Sequence, residues 1–264
     1  TINFNGSLNN INESPLNFQD VLRFSGSDLS FMDNTVLSSN ENLMQFSSST
    51  DIKHKKMQFA AANFTQRINK DLRLEAYSIL AKQEVQSETE SNTEYLTQEN
   101  LFEERNSSGN DKVFSNFNKV RLRYTPDLFK DLAYDILANV SNNSYRNHIY
   151  SRVADSINQT NSWRDPHSVE LNQFFRYNTQ PSYKHTSEVR AEHSFRKSNR
   201  HSDWDFDRPI FSDIIPIVEE DSGNYNLSQD YASTTHSGRL KFKHYWVLNS
   251  TNHLYALAGV YFFD

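Results

Sequence analysis

The stretch that most constrains this chain is "KVRLRY", residues 119–124. Val120, Leu122 and Tyr124 alternate there with Lys119, Arg121 and Arg123. A period of two places the apolar side chains on one side of an extended strand and the cations on the other. A helix, with a period of 3.6, cannot separate the two sets. The pattern recurs. Leu72, Leu74, Ala76, Ser78 and Leu80 oppose Arg73, Glu75 and Tyr77. Leu132, Tyr134, Ile136, Ala138 and Val140 oppose Asp135 and Asn139. Val169, Leu171, Phe175 and Tyr177 oppose Glu170, Asn172 and Arg176. Val189, Ala191 and Phe195 oppose Glu188, Arg190, Glu192 and Arg196. Leu240, Phe242, Trp246 and Leu248 oppose Lys241 and Lys243, and Met57, Phe59 and Ala61 share one side of an earlier run. These runs predict an all-β chain of antiparallel strands, each with one apolar and one charged face.

The connections alternate in length. Short ones are expected near residues 68–71, 126–130, 179–186 and 249–252. Long ones are expected near 83–112, 141–167 and 197–238, and a further long polar loop precedes Lys53. The intervening strands are expected to run about 10–13 residues, longer than the usual mode of about 5–6. At roughly 3.3 Å per residue and a tilt near 45°, about 12 residues cover about 28 Å, close to the hydrocarbon thickness of a bilayer. Short turns at one end and long loops at the other is the arrangement of outer-membrane barrels, with the turns periplasmic.

Nine strands are expected, the first over residues 1–8 and the last over 254–263. Bacterial single-chain barrels are even-numbered, so an odd count that begins and ends on outward-going strands is expected to be a section of a larger barrel. A last strand ending at Asp264 would leave an open edge, which lipid does not tolerate, so more wall is expected beyond it. A short helix is expected over residues 14–24. Ser14 can cap it, Pro15 suits its first position, Phe18, Val21 and Leu22 keep helical spacing, and Gly26 follows its end.

Composition narrows the classes. The formal charge of −6 offers no electrostatic footprint for nucleic acid. The absence of Cys removes disulfide frameworks, thiolate metal sites and Cys nucleophiles. A mean hydropathy of −0.78 sits beside 19 Phe, 13 Tyr and 3 Trp. Such a pairing suits a sheet with one apolar face and long polar loops. No apolar run approaches the length of a spanning helix, but barrel strands carry a weaker, alternating signal. No signal peptide begins at Thr1, so the expectation is a processed chain or an internal piece.

Three segments, "SPLNFQDVLRFSG", "FKHYWVLNSTNHLY" and "IIPIVEEDSGNYNL", together with the strand–loop rhythm across residues 1–264, resemble the barrel of TonB-dependent outer-membrane receptors of the Bacteroidetes type, the SusC-like and carboxypeptidase-regulatory-like-domain receptors. The resemblance implies part of one outer-membrane barrel domain, with plug and remaining strands elsewhere. It implies nutrient transport, a plug and TonB complex as partners, a SusD-like surface lipoprotein over the loops, and surrounding outer-membrane lipid. It carries over no catalytic residue and no cofactor.

Candidate sites are few. Asp203, Asp205 and Asp207 alternate like the opening of a calcium loop, but Arg208 stands where Gly is needed and Ile214 where Glu is needed, which favours a solvated acidic loop. Ile210, Phe211, Ile214, Ile215 and Ile217 form an apolar patch inside a long loop, expected to fold onto the barrel mouth or plug rather than meet a partner. Lys53–Lys56 ("KHKK") could meet lipopolysaccharide phosphates or be a solvated loop end. Lys119, Arg121, Arg123, Arg190, Arg196, Lys241 and Lys243 are expected to face the lumen and to pair there with Glu75, Asp135, Glu170, Glu188 and Glu192 or with the plug, rather than to steer an anionic substrate. The alternative, a cation in lipid at the midplane, costs about 2–4 kcal/mol. Tyr124, Tyr134, Tyr177, Tyr245, Trp246, Tyr255, Tyr261 and Phe262 are candidates for interfacial aromatic girdles. No G-x-S-x-G, H-E-x-x-H or phosphate-binding Gly-rich loop occurs, so no enzyme is expected. Two rivals remain open at this point: a self-contained adhesin or scaffold barrel, and a soluble β-sandwich that binds glycan or protein.

Overall fold

The computed structural model describes residues 2–9, 52–95, 101–154, 156–207 and 224–264. These residues form a single antiparallel sheet of nine strands in sequence order. The strands are β1 (Ile2–Asn9), β2 (Ile52–Arg67), β3 (Leu72–Tyr95), β4 (Leu101–Asp127), β5 (Lys130–Val153), β6 (Ser156–Ser182), β7 (His185–Phe206), β8 (Tyr225–Val247) and β9 (His253–Phe263). Among the described residues no helix is long and apolar enough to cross a membrane. The helix expected over residues 14–24 lies outside the described residues.

Each short turn is closed by a side chain of its own. The Asn69 Oδ1 accepts from the amides of Asp71 and Leu72, at 2.9 and 2.8 Å. Asp127 Oδ1 accepts from Phe129 N, and Ser182 Oγ from Lys184 N. At the last hairpin Asn249 Oδ1 accepts from the amides of Thr251 and Asn252 and from the Thr251 hydroxyl. Short polar side chains of this kind mimic a backbone turn and hold it where no ladder bond is available.

The register climbs from strand to strand. Leu72, the first residue of β3, aligns through Tyr124, Leu132 and Tyr177 with Val189, which lies inside β7, and with Phe242 of β8. Such a stagger is what tilted strands require.

The sheet rolls so that one face is inside. Met57, Phe59, Ala61, Ile79, Ala81, Phe117, Leu137, Arg121, Asn139 and Asn172 are all buried, and all belong to that inner face. The opposite, outer face exposes Leu80, Val120, Tyr124, Leu240, Phe242 and Trp246. The expected alternation of apolar outer and charged inner residues in β3–β8 agrees with this register, Tyr245 excepted.

Three expectations need correction. Strands β3–β8 span 24, 27, 24, 27, 22 and 23 residues, about twice the expected length. The long loops expected near 83–112 and 141–167 are continuous strand pairs almost to their tips, and much of 197–238 is strand too. Ladder hydrogen bonds satisfy the backbone whatever the side chains are, so Ser, Thr and Asn on both faces leave pairing intact while erasing the apolar periodicity. Second, Met57, Phe59 and Ala61 lie on the inner face with the charges, not on the apolar outer face. They cluster there with Ile79, Ala81, Phe117 and Leu137, above the charged zone. Third, Tyr245, Tyr255 and Tyr261 also lie on the inner face, opposite Thr186, Tyr245 and Arg239 respectively, so they cannot join an outer aromatic girdle.

Candidate functional site: the charged inner wall

The inner face near the short turns is built from the residues that alternate with the outer apolar set. Arg121 and Asp135 face each other on β4 and β5 in a two-pronged pair at 2.6 and 3.1 Å, with side chains only 7% and 13% exposed. Arg239 grips Glu192 across β7 and β8 at 2.6–3.0 Å. Glu188 meets Arg190 at 2.7 Å and Lys243 at 3.5 Å. Arg73 bonds Glu75 at 2.8 Å, and Arg176 reaches Asp131 at 2.9 Å. Two-pronged guanidinium–carboxylate contacts are the strong form of this bond and fix side-chain direction.

Asp135 and Glu188 thus pair with cations of the expected set, Arg121 for the first and Arg190 and Lys243 for the second, whereas Glu75 and Glu192 are bonded by Arg73 and Arg239, which lie outside it. Glu170 accepts from Asn172 at 2.8 Å and stands opposite Arg196, and Lys119 stands over the Tyr77 ring at 5.7 Å. Arg123, Arg196 and Lys241 lie on the same face. Sequence reasoning did not single out Arg73, Asp131, Arg176 and Arg239 as partners. Asp131 and Arg239 sit at strand positions whose period-two pattern already placed them inward.

The outer face changes character abruptly. Leu80, Val140 and Val169 are followed, one pair further from the turns, by Lys82, Asn142 and His167. Beyond that boundary the outer face is largely polar, and carboxylates and cations pair in the open. Lys112 meets Glu84 at 3.7 Å and Arg146 meets Asp165 at 3.3 Å. Below the boundary Tyr124, Tyr134, Tyr177, Trp246 and Phe262 stand on the outer face. The Tyr134 hydroxyl donates to Gln173 at 2.7 Å.

The remaining candidates sit on these polar arms. In "KHKK", Lys53 is bonded by Glu88, which raises its pKa. Lys55 turns inward, where burial lowers its pKa, and Lys56 stands opposite Glu84. The run is thus no bare cationic patch. Asp203 and Asp205 share the outer face of β7 at positions about 7 Å apart along an extended strand. Asp203 is bonded to His201 at 2.8 Å, Asp205 accepts from Asn226 at 2.6 Å, and Asp207 accepts from Gln159 N at 2.8 Å. The three carboxylates do not converge, and among the described residues no cluster of three or more such groups could hold a metal. The apolar patch from Ile210 to Ile217 lies outside the described residues.

His201 is held on both ring nitrogens, by Asp203 and, at 2.7 Å, by Asp230, and the Asp230 bond is the chief reason its pKa is raised. Further along the arms, Tyr95 and Ser151 both donate to Glu103, at 2.6 and 2.8 Å, which lowers the Glu103 pKa.

No protein-family model matches the chain, and no curated protein matches it. Among solved structures it is similar to the ferric yersiniabactin uptake receptor FyuA from Yersinia pestis, at 8% identity and a TM-score of 0.44, over 76% of this chain and 27% of that one. It is also similar to the RagAB peptide importer, at 10% identity and a TM-score of 0.39, over 99% of this chain and 42% of that one. A third similarity is to the ferric-catecholate import receptor Fiu from E. coli K12, at 10% identity and a TM-score of 0.31, over 83% and 39%. The chain spans less than half the length of each of these structures.

Proposed function

We propose that this chain is a wall section of an outer-membrane β-barrel of the TonB-dependent receptor kind, and that the assembled receptor takes up a nutrient. One observation carries the membrane reading. Apolar side chains are exposed on the outer face, while charges are gathered and paired on the inner one. A soluble sandwich does the opposite, burying its apolar face against a second sheet. Lipid rewards the arrangement seen here, because the outward band meets hydrocarbon and the inward charges meet water or protein.

The dimensions support it. A strand of about 25 residues at roughly 3.3 Å each reaches about 80 Å, or nearly 60 Å along the normal at a tilt near 45°. Only about 30 Å of that is hydrocarbon. The upper half, largely polar on its outer face, then stands outside the cell as rigid hairpins, where ligand capture takes place. The sequence resemblance adds the specific receptor kind, of the SusC-like subtype, with a plug and the TonB complex driving transport and a SusD-like lipoprotein over the hairpins. This section supplies wall, lumen lining and capture surface, and no catalytic group.

The test is solubility with a charge scan. The full chain is expected to require detergent or lipid to stay monodisperse. Leu122→Arg, on the outer band, is expected to cost about 2–4 kcal/mol of folding in lipid vesicles. Lys82→Gln, just beyond the boundary, is expected to cost little. A monodisperse chain in plain buffer, or equal effects of the two substitutions, would sink the membrane reading.

A further inference from the structure

Two histidines of the outer face meet near the short turns of β7 and β8. His185 opens β7 opposite Trp246, and His244 of β8 stands opposite Ser187, so the two rings approach on a diagonal between the strands. Both are half-buried. The ring centroids are 5.4 Å apart, and His185 Nδ1 lies 3.3 Å from His244 Nε2. Each ring is also held from another side. Trp246 stacks on His185 at 5.3 Å. The Ser187 hydroxyl oxygen lies 2.8 Å from His244 Nδ1, and Phe242 stacks beside His244 at 6.3 Å.

The gap between the two nitrogens is long for a hydrogen bond, whose usual span from an N–H donor is about 2.7–3.2 Å. It matches a different geometry. Two imidazole nitrogens each about 2.0–2.1 Å from a tetrahedral ion stand about 3.3–3.4 Å apart. The Ser187 contact fits the same geometry. With the Nδ1 proton donated to the Ser187 oxygen, His244 turns the lone pair of Nε2 toward His185. Ligating imidazoles are commonly fixed in this way, by a partner on the other ring nitrogen. The outer-face neighbours across the strands are Thr179, Ala256 and Leu254, which add no carboxylate. A donor set of imidazoles suits copper, nickel or zinc, and not the hard ions calcium and magnesium.

We infer that His185 and His244 form an open two-imidazole site for a divalent transition-metal ion, with Cu(II) held most tightly and water completing the coordination. An ion there ties β7 to β8 beside their turns. The ligands come from positions 59 residues apart and meet only in the folded register, so the ion stabilises the sheet by mass action. The site needs the β7–β8 register and not the membrane, so its failure and that of the barrel reading are distinguishable.

The probe is Cu(II), added to the tag-free, detergent-solubilised full chain after chelator treatment and followed by electron paramagnetic resonance. The bound ion is expected to show coupling to two ring nitrogens. H185Q and H244Q are each expected to weaken binding by more than about tenfold, and S187A by about tenfold. H193Q/H236Q removes a second histidine pair of the same face, whose centroids are 6.0 Å apart, and is expected to change nothing. Zn(II) is expected to compete with Cu(II) and to raise the urea midpoint of the parent but not of H244Q, while Mg(II) does neither. Should a variant lose its strand content, the unaltered chain decides. Zn(II) is then expected to protect His185 and His244, but not His193, from diethylpyrocarbonate, as mapped by mass spectrometry. Equal affinity for the parent and H185Q/H244Q, coupling to a single nitrogen, or the same modification of His185 and His244 with and without Zn(II) would each overturn the proposal.

Discussion

Arg121 and Asp135 stand opposite each other on β4 and β5, and the guanidinium grips the carboxylate twice while both side chains are largely shielded from water. The pair shows how this wall treats charge. It is turned inward, matched across strands and fixed in direction. Removing one partner leaves the other stranded. Arg121→Met is expected to destabilise the folded chain by about 3–5 kcal/mol, and the double variant with Asp135→Leu by clearly less, since an apolar pair of similar volume replaces the charged one at little net cost. Urea unfolding in lipid vesicles measures both. A double variant no better than the single would show that the pair acts as packing rather than as matched charge.

The short turns make a second, independent prediction. Asn69 and Asn249 each hold two backbone amides of their own turn. Replacing either by Ala is expected to cost about 1 kcal/mol, visible as a lower urea midpoint with an unchanged slope. Replacement by Asp, which keeps the acceptor, is expected to cost less.

At the arms, His201 bridges Asp203 and Asp230, with Asp165 opposite on β6 and engaged by Arg146. Its folded pKa is raised above the ordinary value near 6.5. The bridge is therefore fully formed below that value, and its contribution is lost as pH rises through the higher folded pKa. The His201 ring protons, followed by NMR, are expected to titrate above the ordinary histidine range in the parent, and at lower pH in Asp230→Asn. Since Asp230 is the larger cause, Asp203→Asn is expected to shift the titration less.

Much of the wall is legible in the amino-acid sequence alone. Leu122 beside Arg121, Ile136 beside Asp135 and Val189 beside Arg190 betray the two faces, because lipid and lumen impose opposite chemistry on successive residues. The arms are not legible in this way. Around Ser107, Asn143 and Ser198 both faces are polar, so nothing alternates even though the ladder continues. The inward turn of Met57, Phe59 and Ala61 is hidden because an apolar cluster on the inner wall has the same period as an outer band. Cross-strand alignment is hidden for another reason. Arg123, Arg190 and Lys241 are each visible as inner cations, but that they share one row with Arg67, Arg73 and Arg176 depends on the register of seven strands, which no single segment encodes.

The central claim is that the face bearing Leu122 meets lipid and the face bearing Arg121 does not. Spin labels placed singly at Leu122, Ile136, Leu171 and Val189, and at Lys119, Asn139 and Asn172, read this directly in reconstituted vesicles. The first set is expected to be relaxed by oxygen, which concentrates in hydrocarbon, and to be shielded from a water-soluble nickel chelate. The second is expected to be shielded from oxygen. Labels at Leu122, Ile136, Leu171 and Val189 that respond to the nickel chelate and not to oxygen would contradict the account.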